Sequence, residues 1–226
     1  MVSSTLYFCT LAVLGFAAAV EAATYYEGDG TTYTLSAVGN GNCNFMSAMS
    51  NAPSNYAALN QAQWGSLTNC GRCAEVSCID SKCTDKTKKA IVQIVDRCPE
   101  CSYGDLDMSP SVFKTITGSS PSRYKIRWQF VDCPTPGNIK VCLKEGSNPW
   151  WVAVQPTNTL VGVKSVTING KPTTMLDGAY YYLIQSSTEV NLSAVQVSVT
   201  SINGGVVKGT YALKVGQCTD TKQQFK

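Results

Sequence analysis

The stretch over residues 91–116, IVQIVDRCPECSYGDLDMSPSVFKTI, holds the clearest fold signals of this 226-residue chain. Its apolar start predicts a buried strand that ends at Asp96. A loop with glycine and cysteine follows, and Ser109 then has the position of a helix N-cap, with Pro110 as the first helical residue of a helix that continues to Ile116. This order predicts a compact, β-rich unit.

The flanking segments extend this prediction. Strand-like runs occupy residues 31–38 (TTYTLSAV), 89–96 (KAIVQIVD) and 124–132 (YKIRWQFVD). A second helix is plausible within residues 55–64 (NYAALNQAQW), whose alanine, leucine and glutamine residues favour helix. The first half therefore predicts a β-rich barrel with peripheral helices.

The second half shows a different pattern. Short apolar or alternating runs recur at residues 150–155, 161–168, 179–185, 190–202 and 210–215. Asn169-Gly170 and Asn203-Gly204-Gly205 lie between such runs and are typical of hairpin turns. Strands at this spacing, without a helical period, predict an all-β sandwich. The change falls at Pro134-Thr-Pro-Gly137, so we expect domains over residues 23–135 and 136–226.

The N-terminus indicates the compartment. Residues 11–20 form an apolar run too short to span a bilayer, and small residues typical of a signal-peptidase site follow it. We expect a signal peptide over residues 1–22 and a secreted protein without a membrane segment. Its removal takes Cys9 away and leaves ten cysteines, an even number that predicts five disulfides.

The composition excludes several kinds of catalytic and metal-binding site. The chain contains no histidine, which excludes Ser-His-Asp and Cys-His nucleophile systems and histidine metal sites. The excess of positive charge lies entirely in the second half, which carries eight lysines against four acidic residues. A basic, secreted module favours an acidic wall polymer over nucleic acid as partner, although a modestly basic surface without a partner is equally consistent with this charge.

The cysteine spacing allows a second interpretation. Cys70-Gly-Arg-Cys73 and Cys98-Pro-Glu-Cys101 are two CxxC pairs, and four thiolates at this spacing bind zinc in intracellular chains. The signal peptide and the even count favour disulfides instead, so we predict neither a metal nor a cofactor.

Two further groups of residues are candidates for function. Asp96, Asp105 and Asp107 lie at a strand end and in the following loop, where an aspartate can face a groove as a general acid or simply make a turn. Trp150, Trp151 and the run Tyr180–Tyr182 lie on predicted strands. Such rings either stack on a polysaccharide or fill a core, and their spacing leaves both readings open.

Taken together, these motifs resemble an expansin, specifically a microbial expansin-like protein. ATYYEGDG, CGRCAEV, VDRCPEC and GDLDMSPSVFKTI resemble the six-stranded double-psi β-barrel that expansins share with family-45 glycoside hydrolases. KEGSNPWWVAVQ resembles their immunoglobulin-like β-sandwich, a family-63 carbohydrate-binding module. The resemblance covers residues 23–218.

The resemblance implies roles for individual residues. Thr24, with Tyr26 beside it, corresponds to the start of the family's first strand, Asp96 to its strand-end aspartate, and Asp107 to its essential groove aspartate. Trp150 and Trp151 correspond to the tandem tryptophans of the cellulose-binding face. Tyr180 corresponds to the third aromatic residue of that face and Lys144 to its flanking cation.

The chain also departs from the family. Cys98 stands where bacterial members have a groove tyrosine, which Tyr103 could replace, and Met108 replaces a leucine of similar volume. The cysteine-rich first half is closer to plant and fungal members. Their pattern implies the pairs Cys43–Cys70, Cys73–Cys133, Cys78–Cys83, Cys98–Cys101 and Cys142–Cys218.

The implied function is non-hydrolytic: a monomeric protein that binds cellulose or a related wall glucan and loosens contacts between polymers. Hydrolysis with inversion needs two carboxyl groups, and this family keeps only the acid, here Asp107. One rival is an endoglucanase with Glu27 as its base. The other is a wall protein that only binds, in which Asp107 has no role.

Overall fold

The computed structural model describes residues 24–134 and 137–226. The expected signal peptide over residues 1–22 and the expected domain boundary between residues 135 and 136 lie outside these ranges. Six strands close a barrel in the order β1-β5-β2-β4-β3-β6. They are β1 (Tyr26–Thr32), β2 (Tyr56–Asn60), β3 (Cys73–Cys78), β4 (Lys89–Cys98), β5 (Leu106–Met108) and β6 (Tyr124–Val131).

Two parallel pairs, β1 with β5 and β2 with β4, stand among antiparallel neighbours, as a double-psi barrel requires. Strand β2 replaces the helix expected over residues 55–64, and only a single 3-10 turn follows it, at Gln61–Gln63. All five residues of β2 are buried between β4 and β5. The prediction was wrong because burial and strand pairing outweigh an intrinsic helix preference of a few tenths of a kcal/mol per residue.

Strand β1 starts five residues earlier than the sequence pattern indicated and ends at Thr32. The first residues of β1 were not predicted as a strand because they include glycines, and glycine is depleted in strands. They are needed for close approach: a Cβ on Gly28 would lie 2.3 Å from the carbonyl carbon of Gly104, and one on Gly30 would lie 2.6 Å from the Ile126 side chain. The backbone of β1 thus packs directly against the loop before β5 and against β6.

The helix expected after Asp107 is confirmed as α1 (Pro110–Thr117). The Ser109 side chain accepts a hydrogen bond from the Val112 amide, and Gly118 ends the helix in the left-handed conformation. Val112, Phe113 and Ile116 bury one face of α1 in the barrel core.

The second half is the expected β-sandwich. A five-stranded sheet has the order β11-β12-β8-β7-β15, and a four-stranded sheet has the order β10-β9-β13-β14. The strands are β7 (Lys140–Leu143), β8 (Trp151–Thr157), β9 (Val163–Ile168), β10 (Lys171–Pro172), β11 (Thr174–Met175), β12 (Tyr182–Gln185), β13 (Val195–Ser201), β14 (Val206–Tyr211) and β15 (Cys218–Asp220). Asn169 and Gly170 both have positive φ in the β9–β10 hairpin, as a type I′ turn requires.

Five disulfides join the pairs that the family resemblance implies. Four of them lie in the barrel. Cys142–Cys218 joins the facing positions of β7 and β15 and links residues 76 positions apart. No helix among the described residues is long and apolar enough to cross a membrane.

A fully buried side chain, Gln155 of β8, lies where the barrel and the sandwich meet. Its Oε1 accepts a hydrogen bond from the Met46 amide at 2.8 Å. Its Nε2 lies within hydrogen-bonding distance of the carbonyl oxygens of Cys43, Asn44 and Tyr180, at 3.0–3.2 Å. One amide therefore binds the loop after β1 to the outer face of the five-stranded sheet.

Candidate functional site

The strand register brings four residues into one row across the barrel. Thr31 of β1 pairs with Asp107 of β5, Asp107 pairs with Ala58 of β2, and Ala58 pairs with Asp96 of β4. Neighbouring strands are about 4.8 Å apart, so the Cα atoms of Asp107 and Asp96 are separated by about 10 Å. The small side chain of Ala58 lies between these two carboxyl-bearing positions.

Asp107 is half-buried, and its carboxylate accepts a hydrogen bond from the Thr31 hydroxyl at 2.7 Å. Burial raises the pKa of this carboxyl above its ordinary value, the Thr31 hydrogen bond opposes that shift, and the negative charge of Glu100 adds to it. Asp107 therefore takes up a proton more readily than an exposed aspartate, which suits a group that donates hydrogen bonds to a ligand.

Asp96 is held by four donors. Its Oδ1 accepts hydrogen bonds from the Asn42 amide and the Asn42 side chain, both at 2.7 Å, and from the Arg97 amide at 2.8 Å. Its Oδ2 accepts one from the Tyr33 hydroxyl at 3.3 Å. Burial and the Asp96 charge raise the pKa of Tyr33 well above its usual range, so this phenol stays protonated and donates.

Thr24, which the resemblance implies lines a groove with Asp96 and Asp107, does not lie in this row, so that placement was wrong. Tyr26, the other candidate at the start of β1, also lies outside the row. Thr24 is exposed and precedes β1, and Tyr26 begins the strand, five residues from Thr31. At about 3.3 Å per residue, Tyr26 is roughly 17 Å from the row. The threonine that β1 brings to Asp107 is Thr31, and Tyr33, two residues further on, donates its hydrogen bond to Asp96.

The residues around Tyr26 form a separate aromatic cluster. The Tyr26 ring packs on Trp128, with centroids 4.5 Å apart, and Tyr103 meets it edge-on at 6.0 Å. Tyr103 therefore packs at the end of β1 away from Asp107 and does not replace the groove tyrosine. Glu27 lies at this end too, where its carboxylate accepts a hydrogen bond from Arg127 Nε at 2.7 Å.

The two tryptophans differ in exposure. Trp150 lies in the turn before β8 with 52% of its surface exposed, and Trp151, the first residue of β8, is partly buried. Trp151 packs with Ala153 and Leu183 on the outer face of the five-stranded sheet.

Tyr180 is not on that face, which corrects the assignment of the third aromatic residue. Only 1% of Tyr180 is exposed, and its ring packs edge-on against Phe45 and Tyr182. Strand alternation explains this: Tyr182 pairs with Val154 and points into the sandwich core, and Tyr180 joins the same core cluster.

Tyr181 points to the outer face instead and clusters there with Trp151. Its hydroxyl donates a hydrogen bond to the Asn44 carbonyl at 3.2 Å, so the barrel covers most of the ring. The Lys144 ammonium lies 5.7 Å from the centre of this ring, so Lys144 lies beside the outer face. The run of three tyrosines signalled an aromatic strand, but only the register decides which ring points outward.

Within the described residues, no group of three or more His, Cys, Asp or Glu side chains is placed to hold a metal ion. The chemistry available at the row is hydrogen bonding by Thr31, Tyr33, Asp96 and Asp107. The outer face adds the partly buried ring of Trp151, and Trp150 is exposed in the turn that precedes it. An acidic row and exposed aromatic rings suit an extended, hydroxyl-rich ligand.

Comparisons with known proteins agree with this description. Residues 56–128 match a double-psi β-barrel family model described as lytic transglycolase. The chain is 34% identical to Expansin-YoaJ of Bacillus subtilis (strain 168) over 124 residues, which span 54% of this chain and 53% of the relative. It is 29% identical to Expansin-like protein 5 of Dictyostelium discoideum over 218 residues, which span 89% of this chain and 86% of the relative.

A solved structure shows the same two-part architecture. The crystal structure of the apo Clavibacter michiganensis expansin superposes with a TM-score of 0.74 at 23% identity and covers 90% of this chain and 98% of its own. A mutant of that expansin, solved in complex with cellohexaose, superposes equally well at 22% identity.

The chain shares with the Clavibacter expansin a double-psi barrel that precedes a β-sandwich. Together with the matched barrel model and the curated relatives, this architecture supports an expansin-like protein.

Proposed function

We propose that this protein is secreted, binds cellulose or a related wall glucan, and loosens contacts between polymers without cleaving them. The cellohexaose complex of the Clavibacter expansin mutant supports a glucan ligand. Trp150 and Trp151 stack on the sugar rings, Lys144 flanks them, and Thr31, Asp107 and Asp96 hydrogen-bond the hydroxyl groups. The partner is polysaccharide rather than nucleic acid or membrane, and the protein acts as a monomer.

The observation that carries a non-hydrolytic role is the bonding of Asp96. Inverting hydrolysis needs a free carboxylate that activates a water molecule, opposite the acid. Three donors already occupy Asp96 Oδ1 and one contacts Oδ2, which supports a fixed hydrogen-bond acceptor rather than a base. Glu27, the base of the endoglucanase alternative, is paired with Arg127 at the other end of β1.

Loosening would come from exchange of hydrogen bonds. The row offers Asp107, and Oδ2 of Asp96 with its single long contact, to hydroxyl groups that otherwise bind a neighbouring glucan chain. Each exchanged bond is worth about 0.5–1.5 kcal/mol net, so several bonds along one chain compete with a local glucan–glucan contact. The process needs no cofactor.

The test is a paired measurement of wall creep and reducing-sugar release with the same purified protein. We expect creep without sugar release from the wild type, and loss of creep with retained cellulose binding for Asp107→Asn. Sugar release that disappears in Glu27→Gln would establish the endoglucanase instead. If Asp107→Asn kept full creep, Asp107 would have no role in loosening, and the alternative of a wall protein that only binds would be favoured.

A further inference from the structure

A cleft of about 360 Å³ opens between the barrel and the sandwich, a volume at the lower end of the range of small-ligand sites, about 300–1,000 Å³. The barrel supplies one wall, with Asn42, Trp64 and Arg97. The turn between β11 and β12 supplies the other, with Leu176 and Asp177. Neither half of the molecule forms this cleft alone.

The cleft contains polar groups that the described protein leaves without a partner. Arg97 Nε is buried and makes no hydrogen bond within the described residues, while the same guanidinium reaches Gln61 at 3.3 Å. Neither Arg97 nor Asp177 forms an ion pair among the described residues. The Arg97 guanidinium and the Asp177 carboxylate therefore keep hydrogen-bonding capacity that the described residues do not use.

The rim of the cleft is also held in an unusual backbone conformation. Gly65, Ser66 and Leu67 have φ values of 62°, 50° and 76°, and two of them are not glycine. Ser66 and Leu67 line the cleft beside Trp64. Consecutive non-glycine residues with positive φ cost free energy, and such strain is concentrated at binding sites.

The position of the cleft connects the two parts of the site. Asn42 lines it and also binds Asp96, the last residue of the acidic row. Leu176 lines it from the other side and packs in the cluster of Trp151 and Tyr181. A polymer that lies on both the row and the aromatic face must pass over this cleft.

We propose that the cleft is a sugar-binding subsite for a neutral glucan, located between the acidic row and the aromatic face. Arg97 donates to sugar hydroxyl groups from the barrel wall, and Asp177 accepts from the sandwich wall. A donor on one side of the cleft and an acceptor on the other match sugar hydroxyl groups, which both donate and accept hydrogen bonds. The negative charge of the Asp177 carboxylate repels an anionic sugar. This inference rests on the proposed function, because it assigns one more subsite to the same polymer.

The test uses cellohexaose and cellotriose, with the protein labelled by 5-fluorotryptophan. The chain has four tryptophans, so fluorine NMR gives four resonances that single substitutions assign. Trp64 reports on the cleft, Trp150 and Trp151 report on the aromatic face, and fully buried Trp128 is the internal control. We expect cellohexaose to shift the Trp64, Trp150 and Trp151 resonances and to leave Trp128 unchanged.

Single substitutions then test the barrel side and the sandwich side of the cleft. Arg97→Gln and Asp177→Asn should each weaken cellohexaose binding about tenfold, since each removes a charge-assisted hydrogen bond. Binding of cellotriose, which reaches fewer subsites, should fall less. The matched controls are Arg127→Gln, at the far end of β1, and Asp132→Asn, an exposed residue outside the cleft.

The outcomes separate the two proposals. If no oligosaccharide shifts any tryptophan and the wild type does not bind cellulose, the proposed function fails. If cellohexaose shifts Trp150 but not Trp64, and both cleft variants bind it like the wild type, the subsite is refuted and the function stands. An unchanged Trp128 resonance in each variant shows that the fold is intact.

Discussion

Replacement of Gln155 tests how the two halves of the molecule are held together. Its side chain is fully buried and is the sole bonding partner on the sandwich for the Met46 amide. Gln155→Ala removes the hydrogen bonds that the glutamine amide makes with the Met46 N–H and with the carbonyl oxygens of Cys43 and Asn44. Two to three lost hydrogen bonds at about 0.5–1.5 kcal/mol each, with one buried N–H left unpaired, predict a loss of about 2–4 kcal/mol.

Thermal unfolding measures this loss directly. For a protein of this size, 1 kcal/mol corresponds to about 2–4 °C, so the Gln155→Ala midpoint should fall by roughly 5–15 °C. The matched control is Gln196→Ala, an exposed glutamine on β13 of the same sandwich, which should melt within about 1–2 °C of the wild type.

Gln155→Glu tests the direction in which stability changes with pH. It keeps the size but turns an acid toward three carbonyl oxygens, so burial and these oxygens raise the pKa of the introduced carboxyl. The variant should therefore be least stable at neutral pH and should recover as the pH falls and the carboxyl protonates. A Gln155→Ala midpoint equal to that of the Gln196→Ala control would refute the role of this contact.

Three further predictions concern single sites. Because burial raises the folded-state pKa of Asp107 above 3.8, its charge costs stability at neutral pH; Asp107→Asn should melt higher than the wild type at pH 7, with the difference vanishing below about pH 4. Trp150→Ala should weaken retention on crystalline cellulose about tenfold or more, since stacking covers roughly 100 Å² of ring worth about 2 kcal/mol, whereas Tyr180→Phe should bind like the wild type. Replacing Cys142 and Cys218 by serine should cost about 2–5 kcal/mol in unfolding experiments, and an unchanged midpoint would contradict a stabilising role for this bond.

Local signals in the sequence were sufficient for much of the architecture. Ser109 and Pro110 begin α1, and Asn169-Gly170 forms its hairpin, because caps and tight turns depend on a few adjacent residues. The alternating runs of the second half predicted the sandwich for the same reason. The disulfide pairs followed from the resemblance to the family and not from spacing, which allows many pairings of ten cysteines.

The residues of the acidic row could be predicted only in part from the sequence. Asp96 and Asp107 were identified from the sequence, but Thr31 was not, since the resemblance implied Thr24, which precedes β1. Which threonine meets Asp107 depends on the parallel register of β1 and β5, whose residues lie 76 positions apart. A shift of a few residues along a strand changes the partner, and nothing within β1 itself specifies that register.

The element types with a strong pattern, the disulfide-rich class, and the candidate carboxylates and tryptophans follow from the sequence alone. Only the tertiary structure decided that Tyr56–Asn60 is a strand, that Tyr180 points into the core, and that Gln155 and Arg97 lie between the two halves. The physical reason is that a side chain's orientation and burial depend on strand pairing between distant segments. Local propensities differ by less than about 1 kcal/mol per residue, so these long-range contacts determine the result.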